Sequence, residues 1–97
     1  MIVRLVKLSI SPEHIDAFIN AFNKHKVSIR SFEGCNHLEL LVEELETGVV
    51  FTYSKWSDLN AIENYRNSDL FKGIWSKVKP MFNGKPEAWS TLSRFKA

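Results

Sequence analysis

Residues Gly48 to Trp56, GVVFTYSKW, decide the fold. Val49, Phe51 and Tyr53 alternate with Val50, Thr52, Ser54 and Trp56, the period-two pattern of a strand enriched in β-branched and aromatic residues. Both faces of that strand carry large apolar groups. One face therefore calls for helices and the other for a partner.

Immediately upstream, Gly34 opens a strand over Cys35 to Glu43, and Glu44 to Gly48 reads as the hairpin loop between the two. Downstream, Ser57 or Asp58 caps a helix whose apolar face is Leu59, Ile62 and Tyr65. Ser68 with Asp69 caps a second helical piece carrying Phe71, Ile74, Trp75, Val78 and Phe82. Pro80 ends or kinks that piece, since proline in a helix interior costs about 3 kcal/mol. Ala88 to Phe95 forms the last strand.

At the other end of the chain, Ile2 to Ser9 alternates as the first strand. Ser11-Pro12-Glu13 then starts a helix, with serine as cap, proline at the first helical position and glutamate at the positive end of the dipole. Ile15, Phe18, Ile19, Phe22 and Ile29 mark its buried face, and it ends near Arg30 to Phe32. The order is βαββαβ. Right-handed crossovers turn it into an α+β, ferredoxin-like antiparallel sheet of strand order 4-1-3-2, with the helices on one face.

An even hairpin loop pairs Val42 with Phe51, Leu40 with Tyr53 and Leu38 with Lys55. On that register Val3, Leu5, Leu38, Leu40, Val42, Phe51 and Tyr53 share the helix-free face, and a second copy of the chain is expected to cover it, because monomers rarely expose large apolar patches. Arg4, Val6, His37, Glu39, Leu41, Thr52, Ser54 and Trp56 then face the helices. Arg4 and Glu39 are expected to neutralise each other beside His37 in a small cavity, because buried charge is tolerated only when paired.

The 97 residues bound the chain to one domain, residues 1–97, and a formal charge of +2 gives no polyanion partner by itself. Apolar runs are far short of the roughly 20 residues that cross a bilayer, so no membrane partner is expected. The N-terminal MIVRLVKLSI lacks the features of a signal peptide, and Cys35 is the single cysteine, which points to a cytoplasmic, reducing environment. His14, His25 and His37 are scattered without ligand spacing, so no metal site is expected.

Nearly the whole chain resembles the antibiotic biosynthesis monooxygenase (ABM) family of dimeric α/β barrels. The residues that carry the likeness are the strand end FTYSKW, the following SDLNAIENYRNSDLF with its W-x8-Y-x2-S-x2-F spacing from Trp56 to Phe71, and the closing KPEAWS. The resemblance implies a homodimer built by sheet-on-sheet packing, with a pocket between sheet and helices in each subunit.

It also implies, for some members, cofactor-independent oxygenation of a deprotonated phenol or quinol. On that reading Arg4 stabilises an anionic oxygen, His37 accepts a proton and Tyr65 donates a hydrogen bond, as catalytic residues. Glu39, Thr52, Ser54, Trp56 and Trp75 contact substrate. Thr52 and Ile62 stand where that class has an asparagine and a tyrosine. Haem-degrading members are a poorer match, since Val6, Tyr65 and Trp75 fall where they carry asparagine, tryptophan and the histidine iron ligand.

Two other classes compete. A non-catalytic dimer that binds or senses a small aromatic shares every residue named. An RNA-binding module shares the βαββαβ order and the alternate aromatics Phe51 and Tyr53, but Thr47 replaces the basic residue expected before Gly48, and the rest of the face is aliphatic, so no nucleic-acid partner is expected.

Overall fold

The computed structural model describes residues 1–97. Four strands and three helices follow one another as β1 (Ile2–Ser9), α1 (Ile15–Arg30), β2 (Cys35–Val42), β3 (Val49–Trp56), α2 (Leu59–Arg66), α3 (Asp69–Val78) and β4 (Glu87–Thr91). The sheet is antiparallel with order β2-β3-β1-β4, the expected ferredoxin-like topology.

Local chemistry sets the helix boundaries. Asp58 Oδ1 accepts from Ala61 N at 2.8 Å and Ser68 Oγ from Phe71 N at 3.1 Å, two side-chain caps that split the second helical region as expected. Ser11 makes no side-chain cap; instead Pro12–His14 forms a single 3-10 turn leading into α1. Pro80 lies in another such turn, Lys79–Met81, just past the end of α3. β4 stops at Thr91, short of the expected Phe95, and the residues beyond it, including Leu92 and Phe95, are exposed.

Two apolar clusters lie between sheet and helices. Leu8, Ile10, Phe18, Ala21, Val50 and Val78 fill one, and Cys35, Trp56, Ala61 and Ile62 the other. Between them the helices do not close onto the sheet.

The register of β2 differs from the even-loop expectation. Val42 pairs with Val50, Leu40 with Thr52 and Leu38 with Ser54, so Leu38, Leu40 and Val42 lie on the helix side. His37, opposite Lys55, and Glu39, opposite Tyr53, lie on the helix-free face. The cause is the loop's parity: an odd number of residues separates Val42 from Val50, and the turn is built with positive φ at Glu46 (54°) and Gly48 (96°). Because side chains alternate, a slip of one residue exchanges the two faces of a strand. Asn36 forms a bulge between Cys35 and His37, so Cys35 still faces inward against Trp56.

Candidate functional site

Beneath α2 and α3 lies a cavity of about 390 Å³, near the small end of the roughly 300–1,000 Å³ usual for ligand pockets. The sheet supplies its floor in layers two residues apart, a spacing of roughly 6.7 Å along a strand. Arg4 and Ser54 make one layer, with Leu38 beside Ser54 and Ser90 beside Arg4. Val6, Thr52 and Ala88 make the next, and Leu8 closes the far end against Phe18 and Val78. Polarity thus falls from one end of the cavity to the other.

The roof is aromatic. Tyr65 packs on Phe32, Trp56 and Phe71, with ring centroids 5.4, 5.1 and 5.2 Å away. Phe71 stacks on Trp75 at 5.6 Å and 15°, and Trp75 meets Phe82 edge-on at 5.3 Å. Such pairs are worth about 0.5–1.5 kcal/mol each beyond the area they bury, so the wall is a firm surface. Helical spacing explains its continuity: Tyr65 and Phe71 flank the break at Ser68, and Phe71 and Trp75 are four residues apart on α3.

At the polar end Arg4 Nη1 donates to Ser90 Oγ at 3.0 Å, tying β1 to β4. Burial is the main cause that lowers the pKa of Arg4; the neighbouring charge of Arg66 adds to it and Glu63 opposes it. Trp56 Nε1 donates to the buried Ser54 Oγ at 2.9 Å, which fixes both the indole and the hydroxyl. The phenol of Tyr65 is pushed up to about 12, first by burial and then by the proximity of Cys35. At neutral pH it is a hydrogen-bond donor and not a base.

The Cys35 thiol is also pushed up, chiefly by burial, against the opposing pull of the His37 backbone and the charge of Arg30. It therefore lacks the thiolate character of a nucleophile. No group of three or more His, Cys, Asp or Glu side chains is placed to hold a metal ion.

The family model for antibiotic biosynthesis monooxygenase matches residues 1–75. The chain belongs to this family. Solved structures of similar fold include an antibiotic biosynthesis monooxygenase, 16% identical with a TM-score of 0.90 over 97% of this chain and 99% of the other. A conserved protein from Methanosarcina mazei is 20% identical with a TM-score of 0.88, over 97% of this chain and 94% of its own. A Mycobacterium tuberculosis protein, Rv0793, is 12% identical with a TM-score of 0.87, over 99% of this chain and 97% of its own. At these identities the likeness is one of fold. No functionally curated protein matches the chain in sequence.

Within this ABM fold, Arg4, Thr52, Ser54, Trp56, Tyr65 and Trp75 all line the cavity. His37 and Glu39 do not. They pair with each other instead, His37 Nε2 to Glu39 Oε1 at 2.5 Å on the opposite face, where the imidazole also meets Tyr53 edge-on at 5.5 Å. The expected Arg4–Glu39 neutralisation is absent, and the flipped register of β2 is the reason.

Sequence reasoning missed Arg66, Phe71 and Leu38 as cavity walls and Ser90 as the partner of Arg4. Arg66 was within reach, because it stands four residues after the buried Ile62 on α2 and so shares its face.

Proposed function

We propose that the chain oxygenates a small electron-rich phenol in this cavity, with molecular oxygen as the oxidant and the substrate as the source of all electrons. The observation that carries the reading is the cavity's polarity gradient, a cationic, hydroxyl-lined end at Arg4 and Ser54 running into an aromatic slot at Phe71 and Trp75. A phenolate oxygen fits the first and its ring the second.

Neither a carboxylate nor a histidine lines the cavity, so no side chain there is matched to take a proton near neutral pH. The field of Arg4 and Arg66 instead favours the ionised phenol, and water at the open end carries the proton away. Ser54 and Tyr65 supply donors to the developing charge, set in a mainly apolar lining where they act strongly. A phenol with a free para C–H then balances against oxygen without a further reductant: the O–H and C–H hydrogens leave, a quinone carbonyl forms with one oxygen atom, and the other departs as water.

We also propose that a second copy of the chain covers the helix-free face. Support comes from the apolar groups there: Val3, Leu5, Phe51 and Tyr53 by register, with Leu41 and Trp89, which are 42% and 45% exposed. The mass of the purified protein in solution tests this, with a dimer expected.

Oxygen uptake by the protein with 1-naphthol and a panel of substituted phenols tests the reaction. One oxygen consumed per quinone formed is the expected result, with uptake falling in Arg4→Gln. Saturable binding of the panel with no uptake would instead favour a protein that senses such compounds without converting them.

A further inference from the structure

Arg4 is not the only guanidinium at the polar end. Arg66, the last residue of α2, lines the same cavity from above, and its charge acts on Arg4. Neither forms an ion pair: the one pair within 4.0 Å in the molecule is His37–Glu39, on the other face. Glu63 is near enough to influence Arg4, but its Oε1 accepts from Asn67 Nδ2 at 3.2 Å and it lies outside the cavity wall.

An arginine carries five N–H donors, and the only side-chain bond of Arg4 is the one to Ser90. Two like charges facing one mainly apolar space, with most of their donors unused, form an arrangement that an anion would complete. A single phenolate would answer one of them.

We propose that the substrate is a hydroxyaryl carboxylate, its carboxylate held by Arg66 together with Arg4 and its neighbouring hydroxyl directed at Ser54 and Tyr65. This rests on the phenol reading above and narrows it. The planar fork of a guanidinium matches a carboxylate in a way that a compact ammonium does not. With the carboxylate and the hydroxyl at the cationic end, the aryl ring lies along Val6 and Ala88 toward Trp75. Once the phenol ionises, the ligand carries two negative charges against two positive ones, and the carboxylate takes no part in the redox balance.

Titration of the full chain with 1-hydroxy-2-naphthoate and with 1-naphthol, which lacks only the carboxylate, tests the inference through quenching of Trp56 and Trp75. The acid should bind roughly ten- to a hundredfold more tightly, the range for a charge-assisted pair of bonds, and added salt should weaken the acid more than 1-naphthol. Arg66→Gln should remove most of that preference, weakening the acid far more than 1-naphthol, while Arg66→Lys should recover part of it. Arg66 is exposed, and unchanged near-ultraviolet circular dichroism establishes that each variant is folded.

Equal affinity of the wild type for the two compounds would overturn the inference and leave the phenol pocket standing. So would an Arg66→Gln variant that weakens both alike. Failure of both compounds to bind would remove the pocket reading and this inference together.

Discussion

Trp56 Nε1 donates to Ser54 Oγ across 2.9 Å, a bond between two buried side chains two residues apart on the same face of β3. Trp56 is 1% exposed, so its indole N–H has no access to water if that partner is lost. Ser54→Ala leaves the donor unpaired, which costs about 1–3 kcal/mol. Trp56→Phe removes donor and ring edge together and leaves a gap under Phe32 and Tyr65. Urea unfolding should place both variants below the wild type, with Ser54→Ala losing stability despite its nearly unchanged volume.

Tyr65 gives the fold a pH dependence of definite sign. Its folded pKa of about 12 lies above the value of 10.0 for a free phenol. Below pH 10 it is neutral in both states and its full contribution is present. Between the two values the unfolded chain loses the proton and the folded chain keeps it, so stability falls as pH rises through that window. Denaturation at pH 9 and pH 11.5 measures the fall, and Tyr65→Phe should reduce it, leaving the part due to the raised Cys35 thiol. Absorbance titration near 295 nm should show a tyrosine ionisation at about 12 that Tyr65→Phe removes.

The fold was legible because each element carried its own signal: Asp58 and Ser68 as caps, Pro80 as a stop, and Thr52 and Ser54 alternating with Phe51 and Tyr53. The site was legible on β1 and β3, whose register with each other follows from their alternation. It was not legible on β2. Leu38, Leu40 and Leu41 put leucine on both faces of that strand, so its pattern does not declare which side is buried, and the parity of the loop after Val42 decides the matter. That parity depends on the conformation at Glu46 and Gly48, which no periodicity reports. The same uncertainty exchanged His37 and Glu39 with Leu38 and Leu40.

Leu5 sits between Tyr53 and Trp89 on the helix-free face, at the middle of the proposed contact between copies. A charge there would be desolvated without a partner in each subunit of the dimer, and twofold symmetry would set the two charges against each other. Leu5→Lys should shift the mass in solution from dimer to monomer. Leu59→Lys, at a site 61% exposed on α2, serves as the control and should leave the mass unchanged. A monomeric wild type would remove the proposed contact, while the cavity, on the other side of the sheet, would remain.

Gly34 links the start of β2 to α2, and so to the end of the cavity where Tyr65 and Arg66 stand. Its φ of +90° lies in the region that side chains avoid, and a Cβ built there would collide with the Cβ of Ala61. Its carbonyl accepts from Ser57 N at 2.9 Å, which holds the end of β3 beside it. Gly34→Ala therefore carries two penalties, backbone strain of about 1–3 kcal/mol and displacement of α2. Moving α2 would carry Tyr65 away from Trp56 and Arg66 away from Arg4. Thermal unfolding should register the strain, and any variant that remains folded should bind 1-naphthol more weakly than the wild type. Ala61→Gly relieves the collision but not the positive φ, so adding it to Gly34→Ala should restore ligand affinity further than stability.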